Sequence, residues 1–131
     1  MSAPPPSAPA AAEQHPWPVE IRVDRANKRL EIDFEGGETF TYPAEYLRVE
    51  SPSAEVQGHG PGQKRVVAGR RHVGIMELEP IGHYAVRIKF DDLHDTGFYS
   101  WPYRYRLGKE RDRIWAEYLR ALEQQGLSRD P

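Results

Sequence analysis

His94 lies in a short run with three carboxylates, Asp91, Asp92 and Asp95, and that grouping is the densest set of potential ligands or proton carriers in the chain. A mixed histidine–carboxylate set can hold a divalent metal. The five histidines, His15, His59, His72, His83 and His94, form neither His-x-x-x-His nor His-Glu-x-x-His, so the helical spacing of a metalloprotease is absent. No cysteine occurs, which removes disulfides, thiolate zinc sites and a cysteine nucleophile together. No Gly-x-Ser-x-Gly elbow marks a serine hydrolase. Gly58-His59-Gly60-Pro61-Gly62-Gln63-Lys64 is rich in glycine but has the spacing of neither a P-loop nor a dinucleotide fingerprint. Lys64, Arg65, Arg70, Arg71 and His72 form a basic cluster that could meet phosphate. It has no interleaved aromatics of the RNA-binding type, and the net charge of -2 argues against a general polyanion binder. In Trp101-Pro102-Tyr103-Arg104-Tyr105-Arg106, aromatics alternate with arginines, the residue types that anchor protein interfaces.

These residues are positioned by elements that the hydropathy pattern predicts. Val19, Ile21 and Val23 alternate with polar residues over Pro18–Asp24, and Leu30, Ile32 and Phe34 do so over Arg29–Phe34, giving a hairpin turned by Asn27 in a left-handed conformation. Glu35-Gly36-Gly37-Glu38 turns the chain into a third strand, Thr39–Tyr42. Pro43–Arg48 reads as a short helix, with Tyr46 and Leu47 packed on the sheet. Residues 51–69 make a long glycine- and proline-rich loop. Val73–Glu79 and Tyr84–Phe90 are two more strands, the second with Tyr84, Val86, Ile88 and Phe90 on one face. A helical turn follows Pro102, ended by Gly108. Ile114, Trp115, Tyr118, Leu119 and Leu122 then stripe a helix over Glu110–Gln125, with Gly126 as its C′ residue. The predicted fold is α+β: a small, mainly antiparallel sheet of about five or six short strands, a short helix and a C-terminal helix.

Six of the twelve prolines fall within Met1–Pro18. The predicted organisation is a disordered tail over 1–16, one domain over 17–126 and a flexible C-terminus over 127–131. The start has no signal-peptide pattern and no run is long and apolar enough to span a membrane, so a cytoplasmic location is expected.

Leu47-Arg48-Val49-Glu50-Ser51-Pro52-Ser53-Ala54-Glu55-Val56, taken with Asp92-Leu93-His94-Asp95-Thr96-Gly97-Phe98-Tyr99-Ser100-Trp101, resembles the γ-butyrobetaine hydroxylase-like N-terminal domain family, also called DUF971. The resemblance runs from about Pro16 to Leu107. Leu93 stands where glycine is usual before the histidine. In zinc-binding members the first segment reads Leu-Arg-x-x-Cys-x-Cys-x-x-Cys and the turn histidine completes the site. Here Ser51, Ser53 and Val56 occupy the thiolate positions and only His94 matches, so the resemblance implies the fold while the residues predict no stoichiometric zinc and no cofactor. Full-length hydroxylases carry an iron- and 2-oxoglutarate-dependent catalytic domain after this one, and nothing of it is expected in this chain. Related domains are fused to Mrp-type P-loop ATPases that handle iron–sulfur clusters. The resemblance thus implies a non-catalytic accessory module that binds a protein partner, such as an Mrp-type ATPase or another iron–sulfur protein; the residue types and helical spacing make Arg70, Tyr103 and Arg106 the expected partner-binding residues and Trp101 core. The alternatives are a small metal- or ligand-binding enzyme component built on His94 and its acids, and weak nucleic-acid binding through the cluster at 64–72.

Overall fold

A computed structural model describes residues 16–60 and 62–131. The tail expected over 1–16 lies, apart from Pro16, outside the described residues. The order is β1 (Pro18–Asp24), β2 (Arg29–Phe34), β3 (Thr39–Pro43), α1 (Ala44–Val49), α2 (Ala54–Gln57), β4 (Ile75–Ile81), β5 (Ala85–Phe90), β6 (Phe98–Ser100), α3 (Trp101–Lys109) and α4 (Arg111–Gln124). The strands form two antiparallel three-stranded sheets, β1-β2-β3 and β4-β5-β6. The fold is therefore α+β, with two sheets in place of one and a C-terminal helix. The central strands supply the core: Leu30, Ile32 and Phe34 from β2 and Val86, Ile88 and Phe90 from β5 pack with Tyr42, Tyr46, Leu47 and Tyr99 into one buried cluster. Alternation on β2 and β5 puts every second side chain into that cluster.

Where the structure departs from the period-two reading, a local feature explains it. Val19 is 68% exposed because the β1–β2 register shifts between Pro18 and Glu20. The extra residue of such a bulge is left out of the alternation. Tyr84 is exposed because it closes the turn before β5, where Gly82 has φ +56°. The left-handed residue of the first hairpin is Lys28 (φ 54°), while Asn27 donates its backbone and side-chain N–H groups to Asp24. Gly108 does not end a helix. It lies inside α3, where an added Cβ would come within 2.4 Å of the Phe40 ring, so its absent side chain lets α3 settle on β3.

Five tyrosines fasten these layers. Tyr42, Tyr46, Tyr99, Tyr103 and Tyr118 donate their hydroxyls to the carbonyls of Arg104, Leu107, Leu47, Glu50 and Val67, at 2.5–2.7 Å. A buried phenol needs such an acceptor, and burial raises all five above the ordinary tyrosine range. The long loop is laid down rather than left loose: Val66, Val67 and Ala68 pack on Val49, Tyr118 and Leu122. The end of the chain, expected to trail free, runs beside it. Gly69 N–H donates to Ser128 O, Arg71 N–H to Arg129 O, and Arg129 forms a two-point ion pair with Glu45.

Candidate functional site

The turn between β5 and β6 folds back against the start of α2 and brings His94 to the Ser51–Val56 segment. The His94 ring Nε2 is 2.9 Å from Ser51 Oγ and 3.4 Å from Ser53 Oγ, and Nδ1 is 3.4 Å from Glu55 Oε2. Val56 is buried, and its backbone N–H donates to Ser53 O. The four positions named by the resemblance are therefore brought to one place, and hydroxyl–imidazole hydrogen bonds hold it. Pairing of Nδ1 with a carboxylate places the ring proton there and leaves Nε2 to accept from Ser51. The imidazole is held below its ordinary value, first by burial and then by the Arg48 charge, against the pull of Glu55 and Asp92. Gly97 crosses directly over this cluster. A Cβ there would lie 2.4 Å from Ser51 Oγ.

Ser51, His94 and Glu55 have the order of a hydrolase triad, and Glu55 is the member that sequence reasoning missed. The geometry does not make a nucleophile. Ser51 is 0% exposed under Gly97, and its oxygen also accepts from Ser53 N–H, so a substrate carbonyl has no approach to it. The acids expected around His94 are turned to other tasks. Asp92 Oδ2 accepts from Arg48 Nε and Arg70 Nε, each at 2.7 Å, and its Oδ1 accepts the His94 backbone N–H. Asp95 faces Arg87. Among the described residues, no three His, Asp or Glu side chains are grouped to hold a metal ion.

Most of the basic cluster is neutralised. Lys64 pairs with the buried Glu50, Arg70 with Asp92, and Arg71 with Asp130, so acids from the C-cap of α1, the His94 turn and the chain end break up the phosphate-binding surface that the cluster could have formed. Of the expected partner-binding residues, Arg70 is part-exposed at the His94 turn and Arg106 is exposed on α3, with its guanidinium 5.9 Å over the Tyr103 ring. Tyr103 is half-buried: its hydroxyl donates to Glu50 O and its ring packs against the core. The helix buries Arg104 and Leu107 alongside Trp101. Trp101 is buried, as expected, with Trp17 stacked at 4.5 Å.

A family model described as gamma-butyrobetaine hydroxylase-like, N-terminal, matches residues 21–105. The chain belongs to this family. The γ-butyrobetaine hydroxylase-like N-terminal fold is also seen in solved structures. One, an NMR solution structure, is 44% identical with a TM-score of 0.78, over 88% of this chain and 91% of that one. A second NMR solution structure is 38% identical with a TM-score of 0.77, over 100% of this chain and 92% of that one. A crystal structure of a protein of unknown function in the DUF971 family from Acidithiobacillus ferrooxidans is 38% identical with a TM-score of 0.59, over 70% of this chain and 91% of that one. No curated protein sequence matches. Among the described residues, no helix is long and apolar enough to cross a membrane.

Proposed function

We propose that this γ-butyrobetaine hydroxylase-like N-terminal domain is a non-catalytic, cytoplasmic protein-binding module that docks its partner on the Asp91–His94 turn. The observation that carries the reading is Leu93. Its backbone has φ 72°, a left-handed conformation that costs a leucine about 1 kcal/mol, and its side chain is 74% exposed. A strained backbone that also presents a large aliphatic group to solvent is unfavourable twice over, and such outliers gather at recognition sites. The turn beneath it is stiff, because Arg48, Arg70 and the His94 backbone all bind Asp92. Leu93 is thus a pre-ordered apolar anchor with Arg70 beside it, the combination that concentrates binding energy at interfaces. The family resemblance points to an Mrp-type P-loop ATPase, or another iron–sulfur protein, as the partner.

Leu93→Gly tests this, since glycine accepts the positive φ without strain. The variant should unfold at the same temperature as the wild type or higher, and should bind a purified Mrp-type ATPase about tenfold more weakly. Undiminished binding by the variant removes Leu93 as the anchor. Absence of saturable binding to the wild type removes the ATPase as the partner.

A further inference from the structure

Beside the His94 turn, a cavity of about 420 Å³ is walled by Arg48, Arg65 and Arg70, by Glu55 and Val56 of α2, and by the 66–68 segment. Arg48 is 7% exposed, and its Nη1 is buried with no hydrogen-bond partner among the described residues. Its Nε is matched by Asp92. A buried guanidinium N–H left without an acceptor is costly, and native structures rarely leave one so without a reason. Arg65 contributes a cation with no side-chain hydrogen bond or ion pair recorded among the described residues. Arg70 is fixed by Asp92 through Nε and by Ala68 O through Nη1. Glu55 adds one carboxylate to the wall, with Oε1 accepting from Thr96 and Oε2 facing the His94 ring. Three guanidinium groups against Asp92 and Glu55 leave one positive charge in excess.

We propose that this cavity binds a small organic oxyanion: a carboxylate or phosphate carried on a short apolar body. Planar guanidinium groups match both oxyanions through paired N–H donors. The ligand oxygens pair with the guanidinium groups of Arg65 and Arg70 on the cavity wall, and Val56 with the 66–68 segment receives the apolar body. A volume of this order suits a small-molecule ligand. The proposal stands apart from protein docking at Leu93.

The test is calorimetric titration of the full chain with butyrate, butyl phosphate and inorganic phosphate at constant ionic strength, on the wild type and on Arg65→Gln and Arg48→Gln. Arg65→Gln carries the weight, because Arg65 has no recorded partner to lose and its unliganded melting temperature should match the wild type. Saturable binding of butyrate or butyl phosphate, weakened about tenfold by Arg65→Gln, supports the proposal, and the preferred anion tells carboxylate from phosphate. No saturable binding, binding of inorganic phosphate alone, or binding unchanged in Arg65→Gln overturns it. Leu93→Gly should bind the anion as the wild type does, which separates this result from the docking result.

Discussion

Arg48 and Arg104 are buried to nearly the same depth, 7% and 3% exposed, and each leaves Nη1 without a hydrogen-bond partner among the described residues. Their surroundings divide them. Arg48 is clasped by Asp92, shares that carboxylate with Arg70 and opens onto a cavity. Among the described residues Arg104 has a 3.4 Å contact from Nε to Ser100 O and no carboxylate partner, and burial lowers its pKa to about 10. A buried cation with a counter-ion and an open side has the form of a binding group. A buried cation without either has the form of a packing element, in which the arginine stem fills space between α3 and the sheet and the charge is a burden.

Removing the counter-ion on the Arg48 side should have the largest effect. Asp92→Asn keeps an oxygen for the His94 backbone N–H but takes away the charge shared by two arginines. Breaking a largely buried pair in this way costs about 3 kcal/mol, to be read as a lower midpoint in urea denaturation. A loss below about 1 kcal/mol would mean that the clasp behaves as a surface ion pair and would erase the contrast with Arg104.

Part of that contrast was beyond the reach of sequence. The alternation of Leu30, Ile32 and Phe34 and of Val86, Ile88 and Phe90 was legible, because it reports burial directly through the strand period. The bulge at Val19 was not, since one inserted residue reverses the face with no change in composition. The strand Phe98–Ser100 is too short to show a period. The approach of His94 to Ser51 and Ser53 came from the family resemblance alone, being a contact over 43 residues that no local pattern encodes. Trp101–Arg106 was legible only in part, for a physical reason. Arginines alternating with aromatics resemble an interface, yet α3 turns Arg104 inward and fastens the Tyr103 hydroxyl to Glu50. The cavity arginines come from the end of α1 and from the loop, and which of them would lack a partner was set by where Asp92, Glu50 and Asp130 came to rest.

On the Arg104 side the sign reverses. Arg104→Met keeps much of the stem and removes a charge that no acid balances. Replacing buried ionic groups with apolar ones of similar volume is neutral to stabilising, so the variant should gain about 1 kcal/mol, again by urea midpoint. Tyr42 should be unaffected, since its hydroxyl donates to the Arg104 backbone carbonyl. A loss of stability would show that the Arg104 guanidinium does more than fill space and would bring it closer to Arg48.

Glu50 stands between the two cases and gives the smallest effect. It is buried, but its counter-ion Lys64, 2.6 Å away, is half exposed. Burial raises the carboxyl above its ordinary value of 4.5 and outweighs the opposing pull of Lys64. A carboxyl raised in the folded state contributes most below its unfolded value, and that contribution is lost as pH climbs through the folded value. At neutral pH the fold therefore carries an ionised group it would hold more easily protonated. Glu50→Gln removes the titration, so the melting temperature of the variant relative to the wild type should rise between pH 4.5 and neutrality. The Tyr103 hydroxyl keeps its acceptor, because it binds the Glu50 backbone. The opposite slope would mean that the half-exposed Lys64 balances Glu50 as fully as Asp92 balances Arg48, and depth of burial rather than the match of charges would then no longer separate these sites.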